Sequence, residues 1–265
     1  MIGKNWYAAC KYKWYSFHLD YRRLVSWWNN RILRTPQYHI GLRPGEIPSD
    51  VVLVETPHQA RQIAEHLGNY RVMEDHREYL SIRVQTEKNA FLVISSGIGT
   101  PPVAIGMEEL SLIGGKRFLY LGSCTPLQKG LKDEQLLIVK GAAKEDGTSQ
   151  EYLPQIIPAV ADIHLLNAAR RALTDAHLPY LVGISATIDI DPSHYPPTTP
   201  MQASVEKRIQ QLKEGNTLAI ERAAAGVYAV AAKIHKPAVC ILQNGAPGSE
   251  FSEKLIRVIP QMFLY

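Results

Sequence analysis

Short apolar runs alternate along this chain with amphipathic stretches and with turns marked by glycine or proline. That is the pattern of a protein in which helices cover a central sheet. The stretch from Phe91 to Gly122 shows it most clearly. Phe91-Leu92-Val93-Ile94 suits a buried strand, and Gly97-Ile98-Gly99 then allows backbone angles that a Cβ would forbid. Pro101 and Pro102 fit the first turn of a helix, on which Val103, Met107, Leu110 and Ile113 recur at helical spacing. Gly114-Gly115 stops that helix, and Phe118-Leu119-Tyr120-Leu121-Gly122 reads as a second buried strand. A right-handed βαβ unit in a parallel or mixed sheet is the simplest connection. Ligands are then expected beyond the carboxyl ends of the strands, near residues 95–100 and 122–125.

The flanking segments extend the pattern. A buried strand is predicted over 51–54 and a helix over 57–67, with Ala60, Ile63, Ala64 and Leu67 on its apolar face. Edge strands are predicted within 72–84, interrupted by the charged run 74–78, and a further strand over 135–141. Asp146-Gly147 signals a turn. A helix is predicted over 158–177, counting Val160, Ile163, Leu166, Ala169 and Leu173 as core positions, then a strand over 180–190. Residues 191–200 are predicted to be a proline-rich loop, followed by helices over 201–213 and 218–235. The second of these has a small face (Ala223, Ala224, Ala225, Gly226) suited to close packing on the sheet. A last strand over 238–242 and a helix over 250–259, stopped by Pro260, complete the reading.

Composition narrows the class. Hydrophobic and charged fractions of 46% and 20% are those of a globular protein, and no apolar run is long enough for a membrane-spanning helix. The three cysteines (Cys10, Cys124, Cys240) are too few and too scattered for a disulfide framework or a zinc pattern, which suggests a reducing compartment. Charge divides the chain: residues 1–36 carry seven basic side chains against Asp20, whereas the whole chain is only +4. All four tryptophans (Trp6, Trp14, Trp27, Trp28) also lie in this leader. Residues 1–36 are therefore expected to be a basic, aromatic extension and residues 37–265 the folded domain. Large aromatics suit an arm docked on a protein partner, and scattered bases with few acids suit a mitochondrial presequence; a cytoplasmic location is the alternative. Nucleic acid is not the expected partner.

Six segments, in order, resemble the nucleoside phosphorylase superfamily, and within it the uridine phosphorylases. They are Tyr38-His39-Ile40-Gly41-Leu42, His76-Arg77-Glu78-Tyr79, Ser96-Gly97-Ile98-Gly99, Glu108-Glu109-Leu110, Asp146-Gly147, and the run Ile157-Pro158-Ala159-Val160-Ala161-Asp162. The resemblance implies a twisted mixed sheet, near-barrel in form and flanked by helices. It also implies dimers, or hexamers of dimers, with sites shared across the dimer interface. By resemblance, Glu221 is the ribose-binding glutamate near the start of the small-faced helix, and Ala219 stands where the family has an acid. His39 matches the histidine that reaches a neighbouring subunit's sugar, and Arg77 a phosphate arginine serving that neighbour. Ser123 keeps a phosphate-contacting hydroxyl.

The rest of the implied phosphate site departs from the family. Its glycine-aspartate-proline-x-arginine loop aligns with Glu55-Thr56-Pro57-His58-Gln59, so glycine has become Glu55 and arginine Gln59. The arginine expected on the central strand is Tyr120. An acid now stands where the family binds an anion, which argues against phosphorolysis. His194 and Tyr195 stand near the base subsite, and Asn244 replaces a proton-donating aspartate of nucleosidase and purine-type relatives. The chain shows no GxSxG elbow, dinucleotide or P-loop glycine pattern, or HExxH spacing, and no cofactor is implied. Cys124 is expected to be a buried, inert thiol.

Three functions remain open. The favoured one is a phosphorylase-fold protein without efficient catalysis, serving as a structural subunit of a larger complex, either a homodimer or a hetero-complex. The second is a divergent phosphorylase or hydrolase acting on the N-glycosidic bond of a nucleoside, with phosphate as co-substrate in the first case. The third is a nucleoside-binding sensor.

Overall fold

A computed structural model describes residues 35–132, 135–191 and 200–264, with the side chains of 200–204 left aside. In chain order the elements are β1 (Asp50–Val54), α1 (Pro57–Leu67), β2 (Tyr70–His76), β3 (Tyr79–Gln85), β4 (Ala90–Ser95), α2 (Thr100–Ile113), β5 (Arg117–Pro126) and β6 (Leu136–Glu145). Then come α3 (Gly147–Tyr152), β7 (Ala159–Val160), α4 (Ile163–Asp175), β8 (Tyr180–Ile188), α5 (Pro200–Glu214), β9 (Ala219–Glu221), α6 (Ala224–Ile234), β10 (Ala238–Asn244) and α7 (Glu253–Val258). A 3-10 turn, Ile259–Phe263, closes the described chain.

All the strands belong to one mixed sheet, and β5 is its seam. On one side β5, β10, β6, β8 and β9 pair in succession, and β9 returns to β5 through Thr125↔Ile220, closing a small barrel. On the other side β1, β4, β3 and β2 continue from β5 as an open wing. The expected near-barrel sheet is what forms. In the predicted βαβ unit, β1 lies between β4 and β5, parallel to both.

Each face of the sheet carries its own core. One gathers Val51, Leu53, Ile94 and Tyr120 under α2 and α6; the other gathers Val52, Val54, Val93 and Leu121 under α1, α4 and α7. The alternation of β1 explains the division, because successive side chains of a strand point to opposite faces. The small face of α6 serves close packing on a helix as well as on the sheet. A Cβ added at Gly226 would stand 2.5 Å from Cγ2 of Thr100 at the start of α2.

Several sequence expectations need correction. The helix expected from residue 158 begins at Ile163, where the Asp162 side chain accepts from the amides of His164 and Leu165. Val160 belongs to β7 and is 55% exposed, so it is not a core position; Ile163 is exposed as well. The helix expected over 218–235 is β9 followed by α6, which puts Glu221 at the end of a strand rather than on a helix. Pairing with β5 and β8 overrides the helical propensity of that short apolar run. Asp146-Gly147 is the N-cap and first residue of α3 rather than a free turn.

Candidate functional site

Because β1, β5 and β10 are parallel, their carboxyl ends meet at one edge, and β9 crosses that edge through its pairing with β5. Glu55 follows β1, Ser123 to Thr125 end β5, Glu221 ends β9 and Gly245 follows β10. Ligand sites of parallel sheets form at such an edge. Here the space enclosed by Glu55, Ser123, Thr125, Asp191, Glu221 and Arg222 is about 10 Å³. That is room for one water.

Glu55 is 3% exposed, and its carboxylate is fully engaged. It accepts from the Ser123 hydroxyl at 3.0 and 3.1 Å and from the Gly248 amide at 2.7 Å, with the Ser123 amide at 3.5 Å. Burial raises its pKa above the ordinary value, and these donors and the Arg222 charge pull the other way. The hydroxyl and amides that could cradle an external anion thus already hold the chain's own carboxylate.

Gln59 is wholly buried and structural. Its Oε1 accepts from the amides of Glu55 and Thr56, while Thr56 caps the Gln59 amide in return. This is a capping box at the start of α1. The Gln59 Nε2 donates to the Ser249 carbonyl at 2.7 Å, and Gln62 bonds both backbone groups of Phe251. Glu55, Gln59 and Gln62 therefore tie the segment after β10 down over the site. Tyr120 is buried at the other wall, its ring filling the space that a Cβ at Gly122 would occupy. Burial, and then the charges of Glu55 and Glu221, push its hydroxyl pKa well up. The Cys124 thiol is pushed up by the same causes, as an inert thiol would be.

Glu221 has no free oxygen either. One oxygen accepts from the hydroxyls of Ser185, at 3.1 Å, and Thr187; the other accepts from the amides of Ala223 at 2.6 Å and Ala224 at 2.7 Å. It staples β8 to the start of α6, and burial raises its pKa despite these bonds. Ala219, on the same strand, is part of the apolar core. Asp191, buried and accepting from Thr125 at 2.6 Å, adds a third carboxylate to the enclosure. Arg222 is the cation facing them, and its Nε is buried without a hydrogen-bond partner.

Sequence reasoning passed over Arg222, Asp191, Ser185 and Thr187. The alternation of hydroxyl and apolar side chains in Ser185-Ala186-Thr187-Ile188, at the end of β8, was the sequence signal available for the hydroxyls.

His39 and Arg77 gather elsewhere. His39 Nδ1 lies 2.7 Å from Glu109, whose carboxylate also accepts from the amides of His39 and Ile40. His76 bonds the His39 carbonyl at 2.8 Å, and Arg77 lies over the Tyr38 ring at 4.9 Å. Arg77 occupies the β2–β3 turn at a φ of 57°. Through β4 and β3 this turn stands two to three strand spacings from Glu55, on the order of 10–14 Å. The residues singled out thus fall into two groups: Glu55, Gln59, Tyr120, Ser123, Ala219 and Glu221 in one, His39 and Arg77 in the other. His194, Tyr195 and residues 1–34 lie outside the described residues.

Comparison with known proteins gives consistent results. The family described as the Phosphorylase superfamily matches residues 50–255. A uridine phosphorylase from Treponema pallidum is 31% identical over 193 residues, covering 72% of this chain and 75% of its own length. A guanosine phosphorylase from Halorubrum lacusprofundi is 29% identical over 210 residues, covering 78% and 83%. Among solved structures, a purine nucleoside phosphorylase from Toxoplasma gondii, in complex with immucillin-H, superposes with a TM-score of 0.75. At 24% identity over 85% of this chain and 94% of that one, it shows the shared fold.

Proposed function

The chain belongs to the phosphorylase superfamily, and from that membership we propose that it is a phosphorylase-fold protein that has lost phosphorolysis and serves as a structural subunit of a larger assembly. One observation carries this reading. The Glu55 carboxylate sits on the Ser123 hydroxyl and the Gly248 amide, where the family resemblance implies a phosphate contact. A phosphate brought there would meet Glu55, with Glu221 and Asp191 beside it, and only the Arg222 guanidinium in compensation. Losing one charge-assisted contact costs about 2–3 kcal/mol, so two lost arginines alone slow a reaction by about a thousandfold or more. Glu221, with every lone pair engaged, offers a sugar nothing.

Incubating the full chain with phosphate and either uridine or guanosine should release no base, and phosphate should not raise its melting temperature. Turnover at the rate of an active phosphorylase would sink the proposal. The basic, aromatic residues 1–36 are the docking arm in this reading, with a mitochondrial assembly as their destination. Native mass measurement on the untagged protein from its source should find it bound to other chains through that arm.

A second reading has its own observation. A buried carboxylate of raised pKa beside a water-sized space becomes a general base once the Ser123 hydroxyl turns away from it, which would suit hydrolysis of a nucleoside. Base release in phosphate-free buffer, abolished by Glu55→Gln, would favour it.

A further inference from the structure

The open wing carries a second feature, unconnected with the Glu55 enclosure. In the β2–β3 hairpin Arg71 pairs directly with Arg83. Side chains so placed share one face of the sheet with their Cβ atoms about 5 Å apart, and like charges in that position repel. The neighbouring Ile82 and Val84 point the other way and are buried, so both arginines lie on the opposite face. There they line a concavity of about 480 Å³ together with Glu46, Asn69, Tyr70, Met73 and Gln85. Specific small-molecule pockets have volumes of this order.

Among the described residues no acid forms an ion pair with either arginine: Glu74, opposite Ser81 on the same face of the hairpin, lies against Gly41 instead. Glu46 is the acid in the lining, and it is committed to Arg43, accepting from the Arg43 amide at 2.7 Å with the guanidinium at 3.8 Å. Among the described residues, neither Arg71 nor Arg83 forms an ion pair or a side-chain hydrogen bond. The same hairpin does supply a counter-ion elsewhere: Arg61 of α1 meets Asp75 at 3.2 Å. Two unpaired guanidiniums fixed side by side match a phosphate group, which each fork can bind through two N–H donors. Tyr70 and Met73 supply an aromatic and a thioether surface beside them.

We propose that this groove binds a phosphate ester with a flat or apolar carbon portion, its phosphate bridging Arg71 and Arg83 and its carbon part lying against Tyr70 and Met73. No bond is made or broken; the site is one of recognition, and it stands or falls apart from the role of Glu55.

The test is calorimetric titration of the full chain with phenyl phosphate and with inorganic phosphate at physiological salt. Phenyl phosphate should bind more tightly than inorganic phosphate, and Tyr70→Ala should erase that preference. Arg71→Ala and Arg83→Ala should each weaken binding about tenfold, the size of one charge-assisted contact. Arg61→Ala, which removes an equal charge from the paired side of the hairpin, should leave binding unchanged. Absence of binding, binding that survives the Arg71→Ala/Arg83→Ala double substitution, or an equal loss in Arg61→Ala would overturn the proposal. Because Gln59 and Glu55 are untouched, circular dichroism of each variant should match the wild type.

Discussion

The enclosure at the ends of β1, β5 and β9 and the hairpin of β2 and β3 lie along one sheet yet handle charge in opposite ways. The first buries the carboxylates of Glu55, Glu221 and Asp191 and spends hydroxyls and backbone amides on them. The second leaves Arg71, Arg77 and Arg83 at the surface. Buried charge survives only with its hydrogen bonds made, whereas exposed charge is held by water at little cost. The contrast separates residues that hold the fold from residues free to meet something else. It also explains how a site can keep polar side chains and lose the capacity for a ligand: its donors and acceptors have been turned on one another.

The comparison breaks most visibly at Glu221. Glu221→Ala would leave the amides of Ala223 and Ala224 and the Ser185 hydroxyl without their acceptor, at a cost of about 3 kcal/mol or more. Urea unfolding should show this as a large drop in midpoint; an unchanged midpoint would mean that the staple between β8 and α6 carries no load. Gln59→Ala removes a helix cap and the tie to Ser249 together, with an expected loss of about 2 kcal/mol. Hydrogen exchange should then quicken in residues 245–252 before it does in β10.

A pH series sharpens the contrast. Burial holds the Glu55 pKa above its ordinary 4.5, so its stabilising contribution is complete below that value and is lost as pH rises through the raised one. Glu55→Gln cannot ionise, so wild-type stability relative to this variant should fall as pH climbs above 4.5. A difference that is constant with pH would show that Glu55 stays ionised throughout. The smallest effect belongs to the other region: Arg77→Ala should change stability by about 0.5 kcal/mol or less.

Two strands of the wing, β1 and β4, were legible from sequence as short apolar runs, whereas β2 was not: it starts at Tyr70 and carries Glu74-Asp75-His76, part of the charged run expected to interrupt it, because an exposed edge strand tolerates charge. The three-residue β9 was not legible either, since Ala219-Ile220-Glu221 carries too short a pattern to compete with the helical spacing that follows it. The clustering of Glu55, Ser123 and Glu221 was readable only through resemblance, because 166 positions separate the first from the last. What resemblance could not convey is that Glu55 accepts from Gly248 and Glu221 from Ser185. Those partners are supplied by loop and strand positions with no motif of their own. The replacement of arginine by Gln59 read as simple loss, yet the amide does what a guanidinium cannot, accepting from two backbone N–H groups.

The seam at β5 has a consequence for how the chain comes into being. One edge of that strand is covered early, by β1, whose paired residues lie 67 positions before it; the other waits for β10, 120 positions after it. During synthesis the barrel therefore stands open until β10 has left the ribosome, with that edge of β5 unpaired meanwhile. Contacts that span so much chain form slowly. A truncation after α6 would take away the strand that joins β5 to β6, and would so open the barrel rather than shorten it.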